Sequence, residues 1–475
     1  MGLRVAVLGA GPGGYVAAVR AAQLGAEVTV IEADRVGGTC LNWGCIPSKV
    51  MITAAEMLQK LQRVQEFGLK LEGKVLPDMQ RLMARKEKVI QDQAKGLRDL
   101  FQQHRIRYVQ GRGVMERPGL VVATGVDGKT LEIPWDRLIV APGTRPLNLP
   151  ELPFDGERIL SSNDALSLQE IPPSIMILGA GVIGCEFAFL LAVLGSQVTL
   201  VEAMERALPL PSVDEDCSKL IQREMKKLKI KFLPNQTVTG LERCGSKVRV
   251  IVGGSPFGPA SPGKTPLTVE VDKILVCTGR QPNTAGLGLQ ELGVKLDAKG
   301  WILADEHMET SVRGVFAVGD VLGPSRIMLA HVASCEGLVA AENALGGSRA
   351  MNYGVVPGAI FTMPEVANVG LSEAQARAQG VPIYTDTVLF RNLGKAQVIG
   401  DFAGEAKLVV HADTGKILGV HLVGPHVTDL IAEGVLAVTQ GVTAAELAET
   451  IHAHPTLAEI MLEVSLKSAR RFSPA

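Results

Sequence analysis

Near the N-terminus a short apolar run, Arg4–Leu8, stops at a cluster of glycines. An Ala- and Leu-rich stretch follows, and then a β-branched run that ends on an acid, Glu32. This pattern predicts a strand, a tight turn, a helix and a second strand. The same rise and fall returns from Ile175 onward. LGAGPGGYVAAVRAAQLGAEVTVIE (Leu8–Glu32) aligns without a gap on LGAGVIGCEFAFLLAVLGSQVTLVE (Leu178–Glu202) at a constant offset of 170, with 12 of 25 positions identical. Two unrelated turns would not share so much, so the segments read as two copies of one structural unit.

Each copy carries G-x-G-x-x-G, as Gly9, Gly11 and Gly14 and as Gly179, Gly181 and Gly184. In such a unit the first glycine makes the turn, the second admits a pyrophosphate close to the backbone, and the third lets helix and strand pack. The helix N-terminus offers N–H groups and partial positive charge to the phosphates. An acid stands 18 residues after the third glycine in both copies, Glu32 and Glu202, placed to accept hydrogen bonds from a ribose. The chain is therefore expected to bind two dinucleotides. Glu202 would repel a 2′-phosphate, so NAD is expected over NADP, although Arg206 lies four positions further on.

Length and charge narrow the class. At 475 residues the chain exceeds one core, and about three or four domains are expected. A net charge of −1 with 4% aromatic residues makes nucleic acid a poor partner. The apolar start looks like a strand entering a glycine turn rather than a signal peptide. Met176–Gly195 is nearly all apolar, but Glu186 and its glycines argue against a membrane span. A cytoplasmic protein is expected. Five of the seven cysteines (Cys185, Cys217, Cys244, Cys277, Cys335) are scattered singly and read as small buried hydrophobes.

The other two are Cys40 and Cys45, in GGTCLNWGCIPSK (Gly37–Lys49), a few residues after Glu32. Zinc would need further ligands, and no second Cys or His pair stands at suitable spacing, so no metal is expected. A structural disulfide closing so short a loop would stabilise little. A redox pair fits better: a dithiol and a nicotinamide each exchange two electrons, and a flavin can mediate between them. On this reading the first copy binds FAD and the second NAD. IPSKVMITAAEML looks helical with Pro47 in its first turn, which would place Cys45 just before a helix whose dipole favours a thiolate.

GGTCLNWGCIPSK closely resembles the active-site segment of the dihydrolipoyl dehydrogenases, within the disulfide oxidoreductase flavoenzymes. VAPGTRP (Val140–Pro146), CTGRQPNT (Cys277–Thr284), GVFAVGDV (Gly314–Val321) and MLAHVASCEG (Met328–Gly337) extend the resemblance along the chain. It implies an α/β fold with two Rossmann-like dinucleotide-binding domains, for FAD and NAD, plus a C-terminal α+β dimerisation domain. The regions implied are 1–146 (FAD), 147–272 (NAD), 273–346 (a central domain completing the flavin site) and 347–475 (interface). Gly253–Pro266 reads as an exposed hairpin loop inside the NAD region.

The resemblance also implies the site. Cys40 exchanges with substrate and Cys45 faces the flavin. Cofactor contacts fall on Gly9, Gly11, Gly14, Glu32, Gly38, Thr39, Lys49, Gly113, Ala141, Gly143, Asp320 and Ala330, and on Gly179, Gly181, Gly184, Glu186, Glu202, Val238 and Gly279. Lys49 and Glu186 are expected to pair near the flavin. Thiol exchange needs a base, and HAHPTLAEIMLEV (His452–Val464) supplies His454, with Glu459 five residues on. Thr456–Glu459 alone also reads as a T-x-x-E capping box. The resemblance favours His454 as base, with Glu459 serving both purposes and His452 structural. It further implies a homodimer in which the base acts across subunits, and a lipoyl-carrying domain of a 2-oxoacid dehydrogenase or glycine cleavage complex as partner. The alternatives are a glutathione-reductase-like enzyme, which should show basic residues where Glu202 stands, and a non-catalytic FAD-binding subunit. A mercuric reductase should carry a C-terminal cysteine pair, whereas this sequence has no cysteine after Cys335. Trp43, Pro142, Met363 and the Pro324–Ser325 extension depart from the usual family pattern.

Overall fold

The computed structural model describes residues 2–258 and 266–471. They form two compact units, each built from three chain segments.

The first unit comprises Met1–Met51, Asp78–Asn148 and Gly279–Tyr353. Its centre is a parallel five-stranded sheet in the order Val315–Ala317, Arg137–Val140, Arg4–Leu8, Glu27–Glu32, Arg107–Gln110. Val5, Val7, Val30, Leu138, Ile139 and Val315 are essentially inaccessible, as expected for strands covered on both faces. The helix Pro12–Gln23 lies against the sheet through Ala17, Ala18 and Ala21, whose small side chains permit close approach. Helix Ala330–Ala344 packs on it, and a Cβ at Gly337 would stand 2.4 Å from the Gly13 carbonyl oxygen. A three-stranded antiparallel sheet, Arg112–Arg117, Leu120–Thr124 and Thr130–Pro134, completes this unit's layers.

The second unit comprises Ile52–Pro77, Leu149–Thr278 and Gly354–Ala475. It holds a second parallel sheet in the order Lys231–Leu233, Gln197–Val201, Ser174–Leu178, Lys273–Val276, Ile159–Leu160. Beside it are an antiparallel three-stranded sheet and an antiparallel five-stranded sheet, the latter in the order Gly358–Ile360, Glu365–Gly370, Ile417–Gly424, Glu405–His411, Ile383–Leu389. The strands Lys247–Gly254 and Leu267–Val271 pair antiparallel across the expected hairpin loop, of which 259–265 lie outside the described residues.

The sequence duplication is a duplication of backbone. Arg4–Leu8 pairs with Glu27–Ile31 in the register with which Ser174–Leu178 pairs with Gln197–Val201. Gly9 N–H donates to Ile31 C=O at 2.8 Å, and Gly179 N–H to Val201 C=O at 2.8 Å. No helix among the described residues is long and apolar enough to cross a membrane, Val182–Leu194 included.

Candidate active site

The two glycine loops close in the same way. A Cβ on Gly14 would stand 1.9 Å from the Gly9 carbonyl oxygen, and one on Gly184 would stand 1.8 Å from that of Gly179. The third glycine therefore packs directly on the first. Gly11 and Gly181 are different: a Cβ there meets nothing nearer than the Gly38 Cα at 3.8 Å, or nothing within 4 Å. That open side is the cradle a pyrophosphate needs. Both following helices have glycine N-caps with no side-chain acceptor and no acid in the first turn. Ser161, Ser372 and Thr443, by contrast, each close a capping box elsewhere in the chain. The residues present fit two dinucleotides, with backbone N–H groups left for phosphate oxygens.

The acids at the strand ends are fully engaged with these loops. Glu32 accepts from Ala10 N–H at 2.7 Å on one oxygen and from Asp34 N–H at 2.8 Å on the other; Glu202 accepts from Ala180 at 2.6 Å and Met204 at 2.8 Å. Burial pushes the Glu32 carboxyl above its usual range, against these bonds. Each acid thus ties the glycine loop to the strand end, and each oxygen keeps a lone pair for a ribose hydroxyl.

Cys40 lies in the short helix Gly38–Trp43, beside Thr39, and Cys45 is the first residue of the helix Cys45–Leu61 rather than the one before it. Both cysteines are half-buried and carry thiols, with the Cys40 thiol hydrogen-bonded to Cys45. That bond, burial and the neighbouring sulfur push the Cys40 thiol well up, while Lys49, one turn into the helix, pulls it down. Gly38 allows this helix to touch the first glycine loop, since a Cβ there would stand 2.7 Å from the Gly11 Cα. The dithiol and the first glycine loop therefore belong to one site.

Several residues that sequence reasoning missed complete it. Asn42, buried between the cysteines, donates to Val36 C=O at 3.1 Å and Gly38 C=O at 2.9 Å and so fixes the turn. The Tyr15 hydroxyl is pushed up by burial and by both cysteines. Arg280 Nε donates to Thr144 Oγ1 at 2.6 Å, Thr144 Oγ1 donates to Asp320 Oδ2 at 3.1 Å, and the Arg280 Nε to Asp320 distance is 3.8 Å. Burial lowers the Arg280 guanidinium, while Asp320 and Cys45 support its charge. Arg280 follows Gly279, whose carbonyl accepts from Leu147 N–H at 3.0 Å. Trp43 stays clear of this cluster: its indole donates to Asp34 at 3.0 Å, and Arg35 lies over its ring.

The remaining expected contacts fall as follows. Ala141 closes the strand beside Gly9, donating to Leu8 C=O at 2.7 Å, and the Gly143 carbonyl accepts from Asn283 N–H at 3.1 Å. The Pro142 carbonyl accepts from the Asn283 amide at 3.0 Å. Ala330 opens its helix. A Cβ at Gly113 would meet Leu8 at 2.4 Å, which is a packing reason for that glycine. Val238 pairs with Val252 in an antiparallel hairpin. Glu186 is buried and accepts from Phe361 N–H at 3.0 Å.

Asp320 has a buried neighbour, Glu336. Its two oxygens accept from Gly319 N–H at 2.7 Å and from Tyr353 O–H at 2.6 Å, and burial raises it to about 7. Folding therefore takes up a proton here between the ordinary value of 4.5 and about 7, and stability present at acid pH is lost as pH rises through about 7. Glu336→Gln keeps an acceptor for Gly319 and a donor for Tyr353. It is expected to flatten the fall in thermal midpoint of the holoprotein between pH 5 and 8, a slope worth at most about 1.4 kcal/mol per pH unit. Equal slopes in both proteins would refute the assignment.

At the far end of the chain, His454 Nδ1 lies 2.8 Å from Glu459 Oε1, and the other Glu459 oxygen accepts from Thr456 N–H at 2.9 Å. Glu459 thus bonds both groups. The full capping box does not form, because the helix begins at Glu459 and the Thr456 hydroxyl donates instead to Ala453 C=O. The His454 imidazole and Thr456 N–H hold the Glu459 carboxyl below its usual range. The His454 side chain is 78% exposed. His452 is the opposite: its side chain is buried, with one nitrogen 2.8 Å from Glu433 and the other 2.8 Å from Thr450 C=O, a structural arrangement.

Comparison with known proteins gives one answer along the whole length. Residues 3–337 match the model of the pyridine nucleotide-disulphide oxidoreductases, and residues 356–465 match the dimerisation domain of the same family. The dihydrolipoyl dehydrogenase of Chlamydia muridarum is 39% identical over 97% of this chain and 95% of its own. That of Geobacillus stearothermophilus is 38% identical over 97% and 94%. The crystal structure of LpdA from Mycobacterium tuberculosis superposes with a TM-score of 0.89 at 29% identity, covering 99% of this chain and all of that one.

Proposed function

Because this chain belongs to the pyridine nucleotide-disulphide oxidoreductase family, we propose that it oxidises dihydrolipoyl groups carried on a protein and passes the electrons to NAD. The chain is a flavin- and disulfide-dependent, NAD-linked oxidoreductase and a homodimer. The observation that carries the substrate reading is the hydrogen-bonded Cys40–Cys45 pair against the first glycine loop, together with an exposed His454 held by Glu459.

In this reading one thiol of the substrate gives its proton to His454 and attacks Cys40 Sγ of the oxidised pair, forming a mixed disulfide and releasing Cys45 as thiolate. The second substrate thiol then attacks the substrate sulfur bound to Cys40; Cys40 leaves with the proton held by His454, His454 receives that of the second thiol, and the substrate departs as the cyclic disulfide. The exposure of His454 suits service to the other subunit of the dimer. FAD, when bound at the first copy, supplies two-electron exchange between the dithiol and the nicotinamide. Gly9, Gly11, Gly14, Glu32, Gly38, Thr39, Asp320 and Ala330 would hold it, and Arg280 supplies fixed positive charge toward Cys45. Gly179, Gly181, Gly184 and Glu202 would hold NAD at the second copy. Lys49 would place its charge near the flavin. The overall change is dithiol plus NAD⁺ to disulfide, NADH and a proton.

The regions 1–146, 147–272, 273–346 and 347–475 divide these duties as FAD, NAD, central and interface domains. The carrier would be the lipoyl domain of a 2-oxoacid dehydrogenase or glycine cleavage complex, in the cytoplasm. A substrate panel tests the reading. Lipoamide with NADH should turn over at least about a hundred-fold faster than glutathione disulfide or mercuric ion with either nucleotide. Faster turnover of glutathione disulfide with NADPH would replace it with the glutathione-reductase alternative.

A further inference from the structure

The two copies of the dinucleotide unit close their glycine loops with a second hydrogen bond, and the residues that make it differ. In the first copy, Gly37 N–H donates to the Ala10 carbonyl at 2.8 Å. In the second, Leu208 N–H donates to the matching carbonyl of Ala180 at 2.7 Å. Both donors sit in left-handed backbone, at φ 94° for Gly37 and 51° for Leu208. Glycine enters that region without cost, but a bulky L-residue rarely does and must be held there.

The restraint is visible. Arg206 reaches across the turn with both terminal nitrogens. Nη1 donates to the Leu208 carbonyl at 3.0 Å and to Ser218 Oγ, while Nη2 donates to Leu210 C=O at 2.9 Å and Val213 C=O at 3.1 Å. The far end of the turn is fixed separately: Asp214 accepts from the buried Lys407 ammonium at 3.0 Å and from Glu373 N–H at 3.1 Å. The near end is fixed by Glu202, which accepts from Met204 N–H and from Ala180 N–H. Ala180 is thus gripped on both sides, by Glu202 at its N–H and by Leu208 at its carbonyl. Between them Arg206 bonds three carbonyls of the turn, alongside the bonds from Leu210 N–H to Leu208 C=O, from Val213 N–H to Leu210 C=O and from the Ser372 hydroxyl to Pro211 C=O.

We infer that Arg206 is a positioning residue for NAD: it fixes Leu208 in left-handed backbone, and Leu208 fixes the second glycine loop. Its four acceptors engage both terminal nitrogens, so it does not serve as a 2′-phosphate ligand, and Glu205 and Glu215 line the shallow pocket beside it. The inference rests on the placement of NAD at the second copy.

Holoprotein variants test it through NAD binding by calorimetry and steady-state kinetics. Arg206→Gln should raise the Kd and KM for NAD roughly ten-fold, with kcat within about two-fold and FAD content unchanged. The preference for NAD over NADP should stay as in the wild type. Measured against Leu208→Gly alone, which also loses a fully buried side chain, the double variant should recover a Kd within about three-fold, because glycine needs no restraint at that φ. Ser218→Ala, which removes one acceptor, should show a smaller rise and stands in should Arg206→Gln not fold. An unchanged Kd in Arg206→Gln, a selective loss of NADP, or no recovery in the double variant would overturn the inference. Glu202→Gln separates the two layers of the argument. If it leaves NAD binding unchanged, the placement of NAD at the second copy fails. If it weakens binding while Arg206→Gln does not, only the role of Arg206 fails.

Discussion

Cys45→Ser and Cys40→Ser are each expected to lower dihydrolipoamide-dependent NADH formation roughly a thousand-fold or more, with FAD retained in full. Two-electron exchange between thiols needs two sulfurs, one to be attacked and one to leave. A serine hydroxyl ionises too weakly and forms no bond that a thiol can exchange. The two positions are not equivalent: Cys40 lies in the short helix Gly38–Trp43 with its thiol hydrogen-bonded to Cys45, while Cys45 opens the helix Cys45–Leu61 within the influence of Arg280. In the proposed reaction Cys40 exchanges with the substrate, and a thiolate at Cys45 has that positive charge beside it. Because both belong to one chemical unit, the double variant should be no worse than either single one. NADH oxidation by an artificial one-electron acceptor, which needs no thiol, should persist. More than about a tenth of wild-type lipoamide activity in either variant would remove the dithiol from the mechanism.

Much of this site was legible in the sequence, because phosphate recognition constrains backbone and so leaves glycines at fixed spacing. The 170-residue offset foretold that Gly9 and Gly179, Gly14 and Gly184, and Glu32 and Glu202 would occupy equivalent places, and their hydrogen bonds agree almost atom for atom. What escaped depends on closure over distance. The Thr144–Arg280 bond spans 136 residues and the Thr144–Asp320 bond 176, and no local pattern announces them. Nothing local singles out Glu336, an acid in a helix that the fold buries against Gly319 and Tyr353. Leu208 escaped for another reason. Its left-handed backbone is unusual for leucine, so a rule that seeks glycine at such turns passes over it. The cap at Thr456 was a real signal with a different outcome, because Glu459 gave one oxygen to the Thr456 N–H and the other to His454.

His454→Gln should cost about 10²- to 10⁴-fold in dihydrolipoamide oxidation, the usual share of a general base, and Glu459→Gln a smaller part of that. Glu459 keeps its charge at neutral pH because the imidazole and a backbone N–H hold its carboxyl low, so it can orient Nδ1 and leave Nε2 for the thiol. Whether the base serves its own chain or the other is decided by mixing lesions. In a two-fold dimer of Cys45→Ser with His454→Gln chains, a base acting across subunits leaves one site doubly broken and the other wholly intact. Co-expression of the two inactive variants should then restore about a quarter of wild-type activity, since half of randomly paired dimers are mixed and each has one working site of two. If the base acted within its own chain, every site in the mixture would carry one lesion and no activity would return. Tagging the two chains separately and purifying the mixed dimer should raise the recovered activity to about half, which excludes leakage from either parent as its source.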